Sequence, residues 1–229
     1  MAIVKDILIK VQKYEYMRRF LLSGEMYMNT LMCFTEMDES TGIGDKFENS
    51  ISFMRYKPIQ AVFKFSNGNE ITLHPSEIKV REYVDQNIGN IYSMAMVDCD
   101  VQMIGEKTRL SIIKNDIFKS LDSDYDTIVI VNQCEAFLER CSDAFSKLGV
   151  DFCFDRVEYF SEQEYNNKIH ITPFMKRDKY KAQNEFRLFA DFKSNKPQIV
   201  NIGDIRDIAI LVHKSGFNSI DLKELPESI

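Results

Sequence analysis

Residues 176–192 read KRDKYKAQNEFRLFADF and are the most informative stretch of the chain. Gln183, Glu185 and Arg187 are spaced two apart, which places three polar side chains on one face if the segment is a β-strand. The alternate positions are apolar and would face the core: Phe186, Leu188 and Ala190. The stretch therefore predicts a strand with an apolar face and with a polar face that holds an amide, a carboxylate and a guanidinium.

Strand-like segments surround this stretch. The clearest is residues 126–132, DTIVIVN, a continuous β-branched run typical of a buried strand. Residues 133–148 follow with apolar side chains at helical spacing and a glycine after them, which predicts a helix. Asn67 and Gly68, between two short apolar runs, predict a hairpin. We therefore expect a mostly antiparallel α+β fold with few helices, in a single domain over residues 1–229.

The composition is that of an ordinary globular protein, with 45% hydrophobic and 28% charged residues. The chain has 35 acidic and 29 basic residues and a net charge of -6, which argues against a surface that mainly grips nucleic acid. The first residues lack the pattern of a signal peptide, and no apolar run approaches the roughly 20 residues that span a bilayer. We expect a cytoplasmic protein without a membrane partner, and the oligomeric state stays undecided.

Cysteine and histidine spacings do not predict a metal site. The 5 cysteines never occur as CxxC, and the 3 histidines are isolated from one another. Buried, reduced cysteines are the expectation for such a pattern.

Residues 35–50, TEMDESTGIGDKFENS, form an acidic segment rich in turn-forming residues. This composition is typical of a surface loop, and a long loop in a compact domain is often either functional or disordered. In a functional loop, Asp45 and Glu48 would pair with Arg187 or Lys176 and close a cleft. A solvated acidic loop without function has the same composition.

Three parts of the chain resemble a widespread, poorly characterised family of bacterial and phage proteins. The first part is an aromatic residue, a helix, a glycine and a strand, here residues 14–28. The second is an acid pair that resembles Asn-Asp-x-x-Glu, here residues 44–48. The third is a motif of Lys, aromatic, Glu, Glu and Arg, in which a tyrosine replaces the usual tryptophan and a glutamine replaces the first glutamate. Its residues are Lys176, Tyr180, Gln183, Glu185 and Arg187.

With glutamine at that position, the third motif also resembles the Gln/Glu-x-Glu strand of ADP-ribosyltransferases. This resemblance implies a split α+β fold that holds NAD between two small sheets. It implies that Glu185 accepts a hydrogen bond from a ribose hydroxyl and stabilises the oxocarbenium-like cation that forms as nicotinamide leaves. Gln183 would orient the target nucleophile. The resemblance thus predicts an NAD-dependent ADP-ribosyltransferase-like protein, of a type that acts in bacterial or phage defence or counter-defence.

The same resemblance extends to the residues that would bind NAD. Ser93, in the run IYSM, stands in for a hydrogen-bonding residue on a middle strand. Tyr14, Tyr180, Arg187 and Lys176 complete the predicted NAD-binding set. The transferase pattern also has an Arg or His on an early strand to hold the NAD phosphates, and no such residue stands there in this chain. The cations near the start are Lys5, Lys10 and Lys13.

Other classes of function stay open. One is an inactive protein of the same fold that binds a nucleotide-like ligand or a protein target. Another is a metal-dependent hydrolase or nuclease in which Asp45, Glu48 and Glu185 bind magnesium through carboxylate oxygens. A pure interaction protein would instead show a large exposed apolar patch. A solvent-facing amphipathic edge strand would produce the QNEFRLF pattern without any function.

Overall fold

The computed structural model describes residues 5–37, 39, 43–57, 59–104, 107–112, 124–163, 168–213 and 220–223. Its α-helices are α1 (Tyr14–Ser23), α2 (Leu31–Glu36) and α3 (Cys134–Leu148), and a 3₁₀ helix covers Asp178–Gln183. Its strands are β1 (Lys5–Gln12), β2 (Glu25–Thr30), β3 (Ser50–Tyr56), β4 (Ala61–Lys64), β5 (Glu70–Leu73), β6 (Ile78–Tyr83), β7 (Asn90–Ile104), β8 (Lys107–Ile112), β9 (Thr127–Val131), β10 (Phe152–Arg156), β11 (Glu158–Phe160), β12 (Ile169–His170), β13 (Met175–Arg177), β14 (Glu185–Ala190), β15 (Gln198–Asn201), β16 (Ala209–His213) and β17 (Ile220–Lys223).

Most of these strands form one antiparallel sheet with β7 at its centre. Along one edge of β7, β14 pairs with residues 90–95 and β8 with residues 99–104. Along the opposite edge, β2 pairs with residues 90–91 and β1 with residues 95–99. A gap therefore separates β1 from β2 along β7, and α1 connects these two strands. β9 and β16 extend the sheet beyond β1, and β10 extends it beyond β14.

Two further strands, β15 and β17, pair with β2 and β8, and three smaller sheets contain the other described strands. β3 lies between β6 and β12, β4 pairs with β5, and β11 pairs with β13. The β11–β13 pair is parallel, whereas the other recorded pairs are antiparallel. The predicted α+β fold with mostly antiparallel strands and few helices is confirmed.

The main core lies between one face of the large sheet and the helices α1 and α3. In α3 the fully buried Phe137, Cys141 and Phe145 recur every four residues and form the stripe that meets the sheet. From α1, Phe20 packs between the rings of Tyr92 and Phe137. No helix in the described ranges is both long enough and apolar enough to cross a membrane.

The segment from Gln183 to Arg187 is not a single strand. The 3₁₀ helix ends at Gln183, Asn184 has a left-handed backbone with φ 45° and ψ 49°, and β14 begins at Glu185. The prediction that Gln183 shares a strand face with Glu185 and Arg187 is therefore wrong. Asparagine tolerates the left-handed conformation better than most residues, so it can turn the chain here. The apolar face of β14 was predicted correctly, since its alternate residues Phe186, Leu188 and Ala190 lie in the main core.

Candidate functional site

Arg187 is the centre of a buried charge cluster. Its side chain is 0% exposed. Nη1 donates to Glu48 Oε2 at 3.0 Å, while Nη2 donates to Glu48 Oε1 and to Glu185 Oε2. Paired hydrogen bonds between a guanidinium and a carboxylate are among the strongest that side chains make. The predicted pairing of Arg187 with the acidic segment is thus confirmed for Glu48.

Lys176, the first residue of the predicted motif, contacts three of the other motif residues. Its Nζ lies 2.9 Å from Gln183 Oε1 and 3.2 Å from Glu185 Oε2. The same ammonium lies 4.6 Å from the centre of the Tyr180 ring, within range of a cation–π contact. Although Gln183 and Glu185 lie on different elements, Lys176 therefore holds both side chains at one place.

Two hydroxyl groups complete the surroundings of Glu185. Ser93 lies on β7 directly opposite Arg187, and its side chain contributes to lowering the pKa of Glu185. The Tyr159 hydroxyl accepts a hydrogen bond of 2.9 Å from the backbone N–H of Glu185. β7, β11, β13 and β14 thus all contribute to the position of this one carboxylate.

The cluster keeps Glu185 ionised. Burial by itself would raise the pKa of Glu185, but the positive charges of Arg187 and Lys176 outweigh burial and hold that pKa well below its usual range. Glu48 is the second carboxyl group of the cluster, and burial raises its pKa although the charges of Arg187 and Lys176 oppose the shift. Each charge of this buried set therefore has an opposite charge beside it, as buried charges require.

A second group of charges surrounds Arg177, the residue after Lys176. Arg177 Nε lies 2.9 Å from Asp45 Oδ1, and its guanidinium also pairs with Glu39 and Glu162. The guanidinium carbon lies 4.6 Å from the centre of the Phe47 ring. Sequence reasoning missed Arg177, because it stands outside the motif and is one of several cations in the run KRDKYK.

Of the two alternatives for the acidic segment, a solvated loop and a loop that pairs with cations, the structure shows the second at Asp45 and Glu48. Asp45 and Glu48 are buried, at 1% and 5% exposure. The Tyr180 hydroxyl donates a hydrogen bond of 2.6 Å to the Gly44 carbonyl, which fixes this segment against the 3₁₀ helix. The carboxylates are buried because arginines from distant strands neutralise them. Residues 38 and 40–42 of the segment lie outside the described part of the chain.

The structure brings together most of the predicted site and leaves one residue apart. Tyr14 is 54% exposed at the start of α1 and, in the described residues, shares no hydrogen bond or ring contact with the cluster. The predicted residues that meet are Ser93, Lys176, Tyr180, Gln183, Glu185 and Arg187.

The carboxylates proposed for a magnesium site do not form one. Asp45 pairs with Arg177, while Glu48 and Glu185 pair with Arg187. Within the ranges that the structure describes, no group of three or more His, Cys, Asp or Glu side chains is arranged to hold a metal ion. The geometry gives no support to the metal-dependent hydrolase.

Lys10, on β1, occupies the gap between β1 and β2. Its Nζ donates to the Ser93 carbonyl at 2.5 Å and lies 4.4 Å from the centre of the Tyr92 ring. The Ser93 carbonyl therefore gains a donor at a point of β7 where neither β1 nor β2 pairs with it. Burial lowers the pKa of Lys10 from 10.5 to about 8, although the negative charge of Glu185 opposes the shift.

The lowered pKa of Lys10 predicts a specific dependence of stability on pH. Between pH 8 and 10.5 the unfolded chain holds more protons at Lys10 than the folded chain, so stability rises with pH in this window. As the pH rises through this window, we expect the free energy of unfolding of the wild type to increase by up to about 3 kcal/mol relative to that of Lys10→Met. Urea unfolding of both proteins at several pH values measures this difference. Parallel pH profiles of the two proteins would contradict the assignment.

Comparison with known proteins identified no relatives. A scan against models of protein families found no match, and neither did searches of curated proteins and of solved structures.

Proposed function

We propose that this protein is an ADP-ribosyltransferase-like enzyme that uses NAD as its substrate, with Glu185 as the catalytic carboxylate. The observation that carries the proposal is the position of Glu185. It is buried against the cations of Lys176 and Arg187, whose charges hold its pKa well below the usual range. A fixed negative charge in surroundings of low dielectric stabilises developing positive charge much better than it can in water.

Two features of Glu185 support the proposed contact with a ribose. The Glu185 side chain is 10% exposed, and a ribose hydroxyl that binds this residue would approach through that opening. Lys176 and Arg187 both donate to Oε2, which leaves acceptor capacity on Oε1. Tyr14 does not belong to this site.

NAD would supply the ADP-ribose group and release nicotinamide. Glu185 would accept a hydrogen bond from the ribose and stabilise the positive charge that develops as the bond to nicotinamide breaks. Lys176 and Arg187 would hold Glu185 ionised and in place, and Gln183 would orient the incoming nucleophile. The electron pair of the broken bond leaves with nicotinamide, and the nucleophile loses a proton to water as it bonds to the ribose.

The substitution Glu185→Gln tests the proposal, because it removes the charge and keeps the shape of the side chain. We expect nicotinamide release from NAD to fall at least about 100-fold. Chromatography of nicotinamide measures the rate, and circular dichroism checks the fold. Asp155→Asn is the matched control, since Asp155 is an exposed carboxylate on β10 directly opposite Arg187. Turnover by Glu185→Gln at the wild-type rate would exclude Glu185 from the mechanism.

A second candidate function is a binding protein of the same architecture without catalysis. The observation in its favour is that the cluster charges are balanced within the chain, as in a structural ion network. Such a protein would be stabilised by NAD or ADP-ribose without releasing nicotinamide. A ligand at about 100 times its dissociation constant adds roughly 2.7 kcal/mol of stability, which a thermal-shift assay detects. The absence of both stabilisation by these ligands and nicotinamide release would exclude both candidates.

A further inference from the structure

The hairpin formed by β4 and β5 is exposed along its whole length. Within the described strands, β4 and β5 pair with each other and with no third strand. Residues 62–74 are all exposed. A two-stranded hairpin alone in water is marginally stable, because it needs an apolar face that is covered.

One face of this hairpin is apolar. Ala61 lies opposite Leu73, and Phe63 lies opposite Ile71, so these pairs share a face that continues to Phe65. The four large side chains on this face are 50–51% exposed: Phe63, Phe65, Ile71 and Leu73. Such a group of half-exposed aromatic and aliphatic side chains is characteristic of an interaction site.

The charge of the hairpin indicates what kind of surface covers this face. The charged residues of the segment 61–73 are Lys64 and Glu70, which pair with each other at 3.0 Å on the opposite face. The apolar face therefore carries no charge that would recognise a phosphate group or a charged peptide. The whole chain has a net charge of -6, so two copies repel each other in general but can meet at this neutral surface.

We propose that two copies of the chain associate through the apolar face of the β4–β5 hairpin. A twofold axis brings the same residues of both copies together, so an uncharged apolar face is complementary to itself. Edge-to-edge pairing of the strands would leave the apolar face in water, so the two hairpins pack face to face.

The size of the face determines how strong the association is. Each half-exposed side chain presents on the order of 100 Å², so the two faces together remove roughly 800 Å² from water. Adjacent backbone and turn residues add to this area. The total remains below the size of stable specific interfaces and in the range of weak, transient ones, which predicts a weak dimer that forms as concentration rises.

Sedimentation across the micromolar range tests the dimer. We expect the mass of the wild type to rise towards twice that of the chain. The double substitution Phe63→Ser with Ile71→Ser should keep the protein monomeric. Tyr27→Ser with Ile199→Ser is the matched control, because these residues form an equally exposed cross-strand pair on β2 and β15, at 55% and 54%. A monomeric wild type, or a dimer that survives the hairpin substitutions, would overturn the proposal.

A fluorescent probe gives a second readout that leaves the apolar face intact. The chain has no tryptophan, so Phe63→Trp introduces a single reporter on the hairpin. We expect its emission to shift to shorter wavelength as protein concentration rises, while Ile199→Trp stays unchanged. Constant emission from Phe63→Trp over the same range would contradict face-to-face packing.

Discussion

The substitution Arg187→Met is expected to lower the free energy of unfolding by about 3–5 kcal/mol, the usual cost of breaking a buried ion pair. Removal of the guanidinium leaves Glu48 buried without its partner and removes one of the two cations beside Glu185. Methionine fills much of the same volume, so lost charge rather than lost packing accounts for the effect. Urea unfolding followed by circular dichroism measures the change.

The double substitution Arg187→Met with Glu48→Leu separates this explanation from a general loss of packing. Because the double substitution removes both members of the pair, we expect this variant to be more stable than Arg187→Met alone. A double-mutant cycle measures the coupling energy between the two residues. Arg206→Met is the control, since Arg206 pairs with Asp204 where both side chains are exposed, and such pairs contribute about 0–1 kcal/mol. Equal losses of stability for Arg187→Met and Arg206→Met would show that the burial of the ion pair does not account for the effect.

The second large effect is expected from Gly24→Ala, at the end of α1. Gly24 has φ +60°, and an added Cβ would lie 2.5 Å from the Gly203 carbonyl oxygen and also too close to Ile202. The left-handed conformation costs a non-glycine residue about 1–2 kcal/mol, and overpacking adds roughly 1–3 kcal/mol. We therefore expect a total loss of about 2–5 kcal/mol, measured by thermal or urea unfolding.

Gly149→Ala provides the matched comparison. Gly149 ends α3 in the same way, with φ +64°, but an added Cβ there meets no atom within 4 Å. The substitution should therefore cost only the conformational penalty of about 1–2 kcal/mol. If the two glycine substitutions destabilise the protein equally, the contact between the end of α1 and the chain at Gly203 is not tight.

Local signals predicted the parts of the fold that depend on neighbouring residues. The hairpin at Asn67 and Gly68, the buried strand β9 and the helix α3 all follow from patterns within about 20 residues. The grouping of Lys176 with Glu185 and Arg187 was also predictable, because these residues lie within one short stretch. Propensity and spacing are sufficient where contacts are local.

The remaining features depend on strands that are distant in sequence. Nothing near Asp45 indicates that Arg177 will neutralise it, and the sequence left open both a solvated loop and a loop that pairs with Arg187 or Lys176. Lys10 donates to a carbonyl in a gap that exists only because β1 and β2 leave β7 at different points. The two-residue spacing of Gln183, Glu185 and Arg187 predicted one strand, but the left-handed Asn184 separates Gln183 from it. A single asparagine in the sequence does not indicate such a turn.

The buried cluster also affects the order in which the chain folds. Its ion pair between Arg187 and Glu48 joins residues 139 positions apart, and in the second group the pair of Arg177 and Asp45 joins residues 132 positions apart. Bringing such distant residues together costs loop-closure entropy before the contact stabilises anything. The helices and the hairpin can form early from local contacts, whereas the cluster forms later. During synthesis, Asp45 and Glu48 therefore remain hydrated until the segment with Arg177 and Arg187 has emerged, and the site is complete only at the end of folding.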